Sequence, residues 1–174
     1  MSREYLGDTL DIHTGGEDHI FPHHEAEIAQ SEGSGSHPFA RFFLHVRHMM
    51  SDGVKMSKSK GNFYTLEDIT AKGFDAMDLR LLFIGAHYRS QMNFTWDALA
   101  QAKKNRETLE NTRKRLSRDG ITSGDYRADE ELAAIQEAMR DDLNTPLALS
   151  HALEMTRTIN TKLDQQEALD TSRL

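Results

Sequence analysis

Thr9-Leu10-Asp11-Ile12-His13 alternates polar and apolar side chains up to Gly15-Gly16, which predicts a short strand ending in a glycine turn. Pro22 suits the first turn of a helix running through His23 to about Ser31, before the Gly33-Ser34-Gly35-Ser36 connector. Pro38 then opens an expected second helix, with Phe39, Phe42 and Phe43 spaced for one apolar face. Next come His48-Met49-Met50-Ser51 and Val54-Lys55-Met56 around Asp52-Gly53, the strongest short-range hairpin signal of the chain. Thr65 with Asp68 predicts a capping box for a short helix ending near Gly73. Asp75 caps another, from Ala76 to about Ala86, with Leu79, Leu82 and Phe83 on its apolar face. Thr95 caps a long helix from Trp96 to about Arg118, which Asp119-Gly120 ends. Two more helices follow, from about Asp129 to Arg140 and, capped by Asn144 or Thr145, from Pro146 to Leu163.

The pattern thus alternates between strands and helices at first and turns helical later, without an internal repeat. At 174 residues the chain has the length for one domain, or for a catalytic piece with a smaller second one. A net charge of -7 argues against a surface coated in positive charge, but leaves room for a local basic patch on RNA. The chain has no cysteine, so it supplies no disulfide framework and no thiol chemistry. No signal-like N-terminus and no membrane-spanning apolar run is present, and the expectation is a soluble cytoplasmic protein with no membrane partner.

Candidate chemistry concentrates in two places. Lys55, Lys58 and Lys60 carry mobile ammonium groups, Ser57 and Ser59 add short hydroxyl donors, and Gly61 permits close backbone approach. Such a loop suits a polyphosphate, and a solvated lysine loop is the plainer alternative. His23 and Glu27 stand four apart on the helix, hence on one face, a spacing that fits either a shared metal or a capping and surface pair. Gly15-Gly16 reads as a plain turn and Asp18 as a helix cap when taken alone. The long helix carries Lys103, Lys104, Arg106, Arg113, Lys114, Arg115 and Arg118 against Glu107 and Glu110. A solvated face with pairs such as Glu110 and Lys114 explains such a run, and contact with nucleic-acid phosphates is the functional alternative.

Lys55-Met56-Ser57-Lys58-Ser59, continued by Gly61-Asn62, resembles the signature loop of class I aminoacyl-tRNA synthetases. Residues 11–32, from Asp11-Ile12-His13 through Phe21-Pro22-His23-His24-Glu25-Ala26-Glu27 to Glu32, resemble the adenosine- and zinc-binding stretch of cysteinyl-tRNA synthetases. Asp141-Asp142-Leu143-Asn144-Thr145-Pro146-Leu147-Ala148-Leu149 is similar to the start of that family's helical domain.

The resemblance implies an α/β fold: the second half of a Rossmann-like class I synthetase catalytic domain (1–50), a connecting region with the signature loop (51–95), and a truncated α-helical bundle, the start of a DALR-like tRNA-binding domain (96–174). It implies cysteine–tRNA ligase chemistry, with ATP and Zn2+ as cofactors and cysteine and tRNA-Cys as partners. By the same resemblance Gly16, Asp18 and Lys58 contact ATP, Lys55 and Lys58 act in catalysis, and His23 and Glu27 are the family's two non-cysteine zinc ligands.

The family's His-Ile-Gly-His motif and its two zinc-ligand cysteines are not in this chain. The expectation is therefore a middle fragment, inactive by itself, with an incomplete sheet that favours a separate N-terminal half or self-association. With two zinc ligands retained, little zinc affinity is expected unless His24, Glu25, another chain or solvent completes the shell. Two other readings stand beside it. One is the related ligase that joins cysteine to an amino sugar; the other is a non-catalytic module that binds tRNA or pairs with a partner half.

Overall fold

The computed structural model describes residues 2–35, 37–57, 61–119, 126–167 and 169, without the side chains of Ser2 and Asp119. Two compact units divide the chain, one of residues 1–60 with 88–93 and the other of residues 61–87 with 94–174. The elements of the first unit are α1 (Ser2–Leu6), β1 (Leu10–Gly16), α2 (Glu25–Gly33), β2 (Ala40–Val46), β3 (Met50–Ser51) and β4 (Val54–Lys55). α3 (Leu66–Ala71), α4 (Ala76–Ile84), α5 (Trp96–Asp119), α6 (Asp129–Arg140) and α7 (Thr145–Asp164) form the second, and the short strand β5 (Asn93–Phe94) lies between.

β1 and β2 pair in parallel, with Ile12 opposite Phe42 and His13 opposite Phe43. A single-turn 3-10 helix (Glu17–His19) and a kinked turn (Ile20–His24) lead from β1 into α2. The second helix expected after Pro38 is instead β2. The run Arg41-Phe42-Phe43-Leu44-His45-Val46 is rich in strand formers, and parallel pairing satisfies its backbone while alternation splits the three phenylalanines between faces. Phe39 and Phe43 turn toward His13 and His24, whereas Phe42 is exposed beside the exposed Ile12.

The Asp52-Gly53 hairpin forms as its sequence dictates: β3 pairs antiparallel with β4, and both turn residues have positive φ, 51° and 76°. β5 continues this small sheet on the far side of β3, and the Gly53 amide donates to Asn93 Oδ1 at 2.9 Å. Residues 58–60 of the lysine loop lie outside the described residues.

In the second unit the expected capping box of Thr65 with Asp68 is present, and the expected Asp75 cap forms a box of its own with Asp78. The apolar core includes Ile69, Phe94, Leu99, Ala102, Ala138, Ala148 and Ile159, with Tyr64, Phe94 and Trp96 packed edge to face or tilted. α4 departs from its expected face. Leu79 and Leu82 are half-buried, but Phe83 is exposed, and the fully buried position is Asp78. Arg106 of α5 explains the exchange, because its Nε donates to Asp78 Oδ1 at 2.6 Å and turns a carboxylate into an interior group.

α5 and α7 are tied by polar contacts: Arg115 donates to Asn160 Oδ1 and Asp164 Oδ1, each at 2.7 Å, and Asn160 Nδ2 donates to Thr112 Oγ1 at 2.6 Å. α7 starts at Asn144, whose Oδ1 accepts from the Leu147 amide at 3.3 Å. Asn144→Ala removes that cap and should lower stability by about 1 kcal/mol, read as a lower urea midpoint with an unchanged slope. Among the described residues no helix is long and apolar enough to cross a membrane.

Candidate functional site

The carboxyl end of β1, the following 3-10 turn and α2 bring five histidines and a glutamate into one neighbourhood. His13 and Gly15 are two apart on β1 and so face the same side of the strand. His13 Nε2 and Glu27 Oε2 of α2 are 2.7 Å apart. His24 is buried, with its Nε2 3.9 Å from the same Glu27 oxygen. Its Nδ1 is 2.8 Å from Nε2 of His45 on β2. The rings of His19 and His23 stack loosely on one another and on His24.

Room for this cluster comes from Gly15, where a Cβ would stand 2.8 Å from His24 Cε1 and 2.9 Å from both His24 Nε2 and His19 Nδ1. Burial, reinforced by the neighbouring His13, holds the His24 imidazole below its ordinary pKa against the opposing pull of Glu27. His24 is thereby kept neutral, the form that offers a lone pair to a metal or a proton donor.

Of the residues singled out in the sequence, Gly16 and Asp18 are brought together. Gly16 ends β1 with extended backbone, and a Cβ there would meet Asp18 Oδ1, the free end of an exposed carboxylate that could swing aside to admit it. Asp18 is exposed and lies 3.7 Å from His48 Nε2, while Glu17 faces Arg47 and His48. His23 and Glu27 do lie on one helical face, with Nε2 and Oε1 3.8 Å apart and His23 exposed.

Lys55 ends β4, paired with Met50. Lys58 lies outside the described residues. On α5, Arg106 and Arg115 are engaged within the second unit, and Lys103 donates to the Gly73 carbonyl at 3.0 Å, which leaves a smaller basic surface than the count of charges suggests.

His13 and His45 escaped sequence reasoning, and His24 entered it only as a group that could complete a zinc shell. The available signal was period two: reading β2 as a strand puts Phe43 and His45 on one face, and β1 puts His13 and Gly15 on one face.

A parallel strand pair with glycines and an acidic turn at the carboxyl end of β1 defines an α/β domain of the class that receives its ligand beyond the strand ends. The family model of the tRNA synthetases class I (C) catalytic domain matches residues 1–104, and that of the DALR domain matches residues 134–173. The first match covers more than half of the chain, and the chain belongs to the class I (C) tRNA synthetase family. A cysteine–tRNA ligase of Solibacter usitatus is 42% identical over 172 residues, covering 96% of this chain and 37% of that protein. One of Opitutus terrae is 47% identical over 149 residues, covering 86% of this chain and 31% of that protein. The chain thus spans about a third of the length of the curated relatives it matches. Among solved structures, the ternary LeuRS–tRNA–LeuAMS complex of Agrobacterium radiobacter K84 aligns with a TM-score of 0.59 at 16% identity, over 92% of this chain and 23% of that one. At that identity the likeness concerns the fold alone.

Proposed function

We propose that the chain is the part of a cysteine–tRNA ligase that holds the adenosine end of ATP and half of the cysteine selector, and that it does not complete the reaction by itself. Residues 1–50 are then the second half of a Rossmann-like domain, 51–95 the connecting region with the signature loop, and 96–174 the start of a tRNA-binding helical domain. The observation that carries the reading is the Gly16–Asp18 arrangement. A glycine and, two residues on, an exposed carboxylate at the end of a parallel strand suit close approach of a nucleoside, with Asp18 accepting from ribose hydroxyls.

In the proposed reaction the cysteine carboxylate attacks the α-phosphorus of ATP, pyrophosphate leaves, and the cysteinyl group passes to tRNA-Cys. Lys55 and Lys58 neutralise charge that develops on the leaving phosphates, so they act on rate more than on binding. His23 and Glu27 fit a shared zinc, being an imidazole and a carboxylate on one helical face with ligand atoms 3.8 Å apart. When bound, such a zinc would select cysteine by its thiolate, a soft ligand that the serine hydroxyl cannot imitate. The proposed setting is cytoplasmic.

The test is cysteine-dependent exchange of label between pyrophosphate and ATP. The purified chain alone, with folding confirmed by circular dichroism, is expected to give background only. Adding the N-terminal catalytic segment of the Solibacter relative should produce exchange, and Lys58→Ala should lower its rate about 10²–10³-fold with little change in the KM for ATP. A complemented mixture that stays at background, or exchange indifferent to Lys58→Ala, overturns the reading.

A further inference from the structure

We propose that His48 shares the ribose with Asp18, so that two acceptors at the ends of neighbouring strands take the two adjacent hydroxyls of the nucleoside. The inference rests on the reading of Asp18 given above and adds to it a residue that decides between ribose and deoxyribose. His48 Nε2 and Asp18 Oδ1 stand 3.7 Å apart, the carboxylate exposed and the imidazole half-buried. That distance is too long for a hydrogen bond between them, and a charge-assisted pair would close to about 2.7–2.9 Å. It fits two groups that each receive a separate proton from one ligand.

Glu17 sets the ring. Its Oε1 lies 3.4 Å from His48 Nδ1 and accepts from the His48 amide at 3.5 Å, while its Oε2 faces Arg47 Nε at 3.5 Å. A carboxylate beside Nδ1 favours the tautomer with the proton there, which leaves the Nε2 lone pair on the Asp18 side. Two acceptors then face one another, an arrangement that a ligand with two adjacent donors completes. The backbone behind the ring is fixed as well, because the Arg47 amide donates to the Tyr88 carbonyl at 3.2 Å. All of these residues belong to the first unit.

The donor pattern and the charge narrow the ligand. Vicinal hydroxyls bring two protons side by side, whereas phosphate and carboxylate oxygens bring none. Glu17 and Asp18 outnumber Arg47, so the pair of acceptors repels an anion and receives the sugar rather than the phosphates. An ordinary surface ion pair accounts for Arg47 with Glu17. It does not account for an imidazole held from behind and stopped short of the next carboxylate.

The experiment is NMR titration of the purified chain with adenosine, 2'-deoxyadenosine and 3'-deoxyadenosine, with the fold of each variant checked by circular dichroism. Loss of either hydroxyl should weaken binding about fivefold, the ordinary worth of one hydrogen bond. In His48→Leu one of the two deoxynucleosides should bind within about twofold of adenosine, and in Asp18→Ala the other should. His48→Gln, whose side-chain oxygen accepts in place of Nε2, should restore most of the discrimination. His48→Asn, too short to reach that position, repeats the test should the leucine disturb the fold. A merely structural role would weaken all three nucleosides alike and leave their ratios unchanged. Wild-type ratios in both His48→Leu and His48→Asn, with discrimination still lost in Asp18→Ala, would overturn the role of His48 and leave the reading of Asp18 standing. A wild-type chain that binds no adenosine would overturn that reading and this proposal together.

Discussion

Asp78→Ala is expected to lower the unfolding free energy by about 3–5 kcal/mol, the usual cost of removing one partner of a buried ion pair. Asp78 is fully buried, accepts from the Asp75 amide at 2.8 Å and from Arg106 at 2.6 Å, and so closes α4 both onto its own cap and onto α5. Without it Arg106 keeps only Glu110, at 2.7 Å, for a guanidinium whose pKa both carboxylates now raise. Against a total of about 5–15 kcal/mol for a typical domain, that loss is a large fraction of the stability. The dependence on pH follows. Burial pushes the Asp78 carboxyl up, yet the Asp75 amide and Arg106 outweigh it, and its pKa in the folded chain is lowered. A group with a depressed folded value contributes fully above its unfolded value, about pH 4, and loses that contribution as pH falls through the lower folded value. The difference between wild type and Asp78→Asn, measured by urea unfolding, should therefore be constant near neutrality and shrink only below about pH 4. An unchanged urea midpoint in Asp78→Ala would show that the pair contributes nothing net.

Gly15→Ala should act on the first unit as Asp78→Ala acts on the second. The added methyl would stand within 2.9 Å of two imidazoles, one of them the buried His24, which has His13, His45 and Phe43 around it and no open side to yield into. Overpacking of this kind costs about 1–3 kcal/mol. It should also tilt His24 away from Glu27, and the variant should show a lower urea midpoint than the wild type. Gly33→Ala is the matched control. Its Cβ meets nothing within 4 Å, and at a helical position the exchange should be neutral or stabilising by about 0.4–1 kcal/mol. An equal urea midpoint in Gly15→Ala and the wild type would mean that Gly15 does not shape the cluster.

The helices were legible because their ends are written in local chemistry. Thr65 with Asp68, Asp75 with Asp78, Thr95, and Asn144 before Pro146 are each a cap within three residues of what they cap. The Asp52-Gly53 hairpin is legible for the same reason. β2 was not, since a short apolar run is ambiguous between strand and helix, and Phe39, Phe42 and Phe43 can satisfy a helical spacing by accident. What the candidate site owes to tertiary structure stayed hidden as well. His13 reaches Glu27 across 14 residues and Arg106 reaches Asp78 across 28, and no local pattern marks either meeting. Gly16, Asp18, His23 and Glu27 were found through likeness to a family, while the buried histidines needed the strand register.

That register carries a consequence for how the chain can be handled in the laboratory. Ile12 and His13 are adjacent on β1, one presented to the exposed apolar face beside Phe42 and the other to the imidazole cluster beside Phe43. Sliding β1 by one residue would exchange them, burying Ile12 among the histidines and casting His13 out. Reaction of the His13 imidazole with an acylating reagent would then serve as an inspection of the strand alignment in each preparation, telling a correctly threaded molecule, with that ring half-buried against Glu27, from a compact but misaligned one that circular dichroism cannot distinguish.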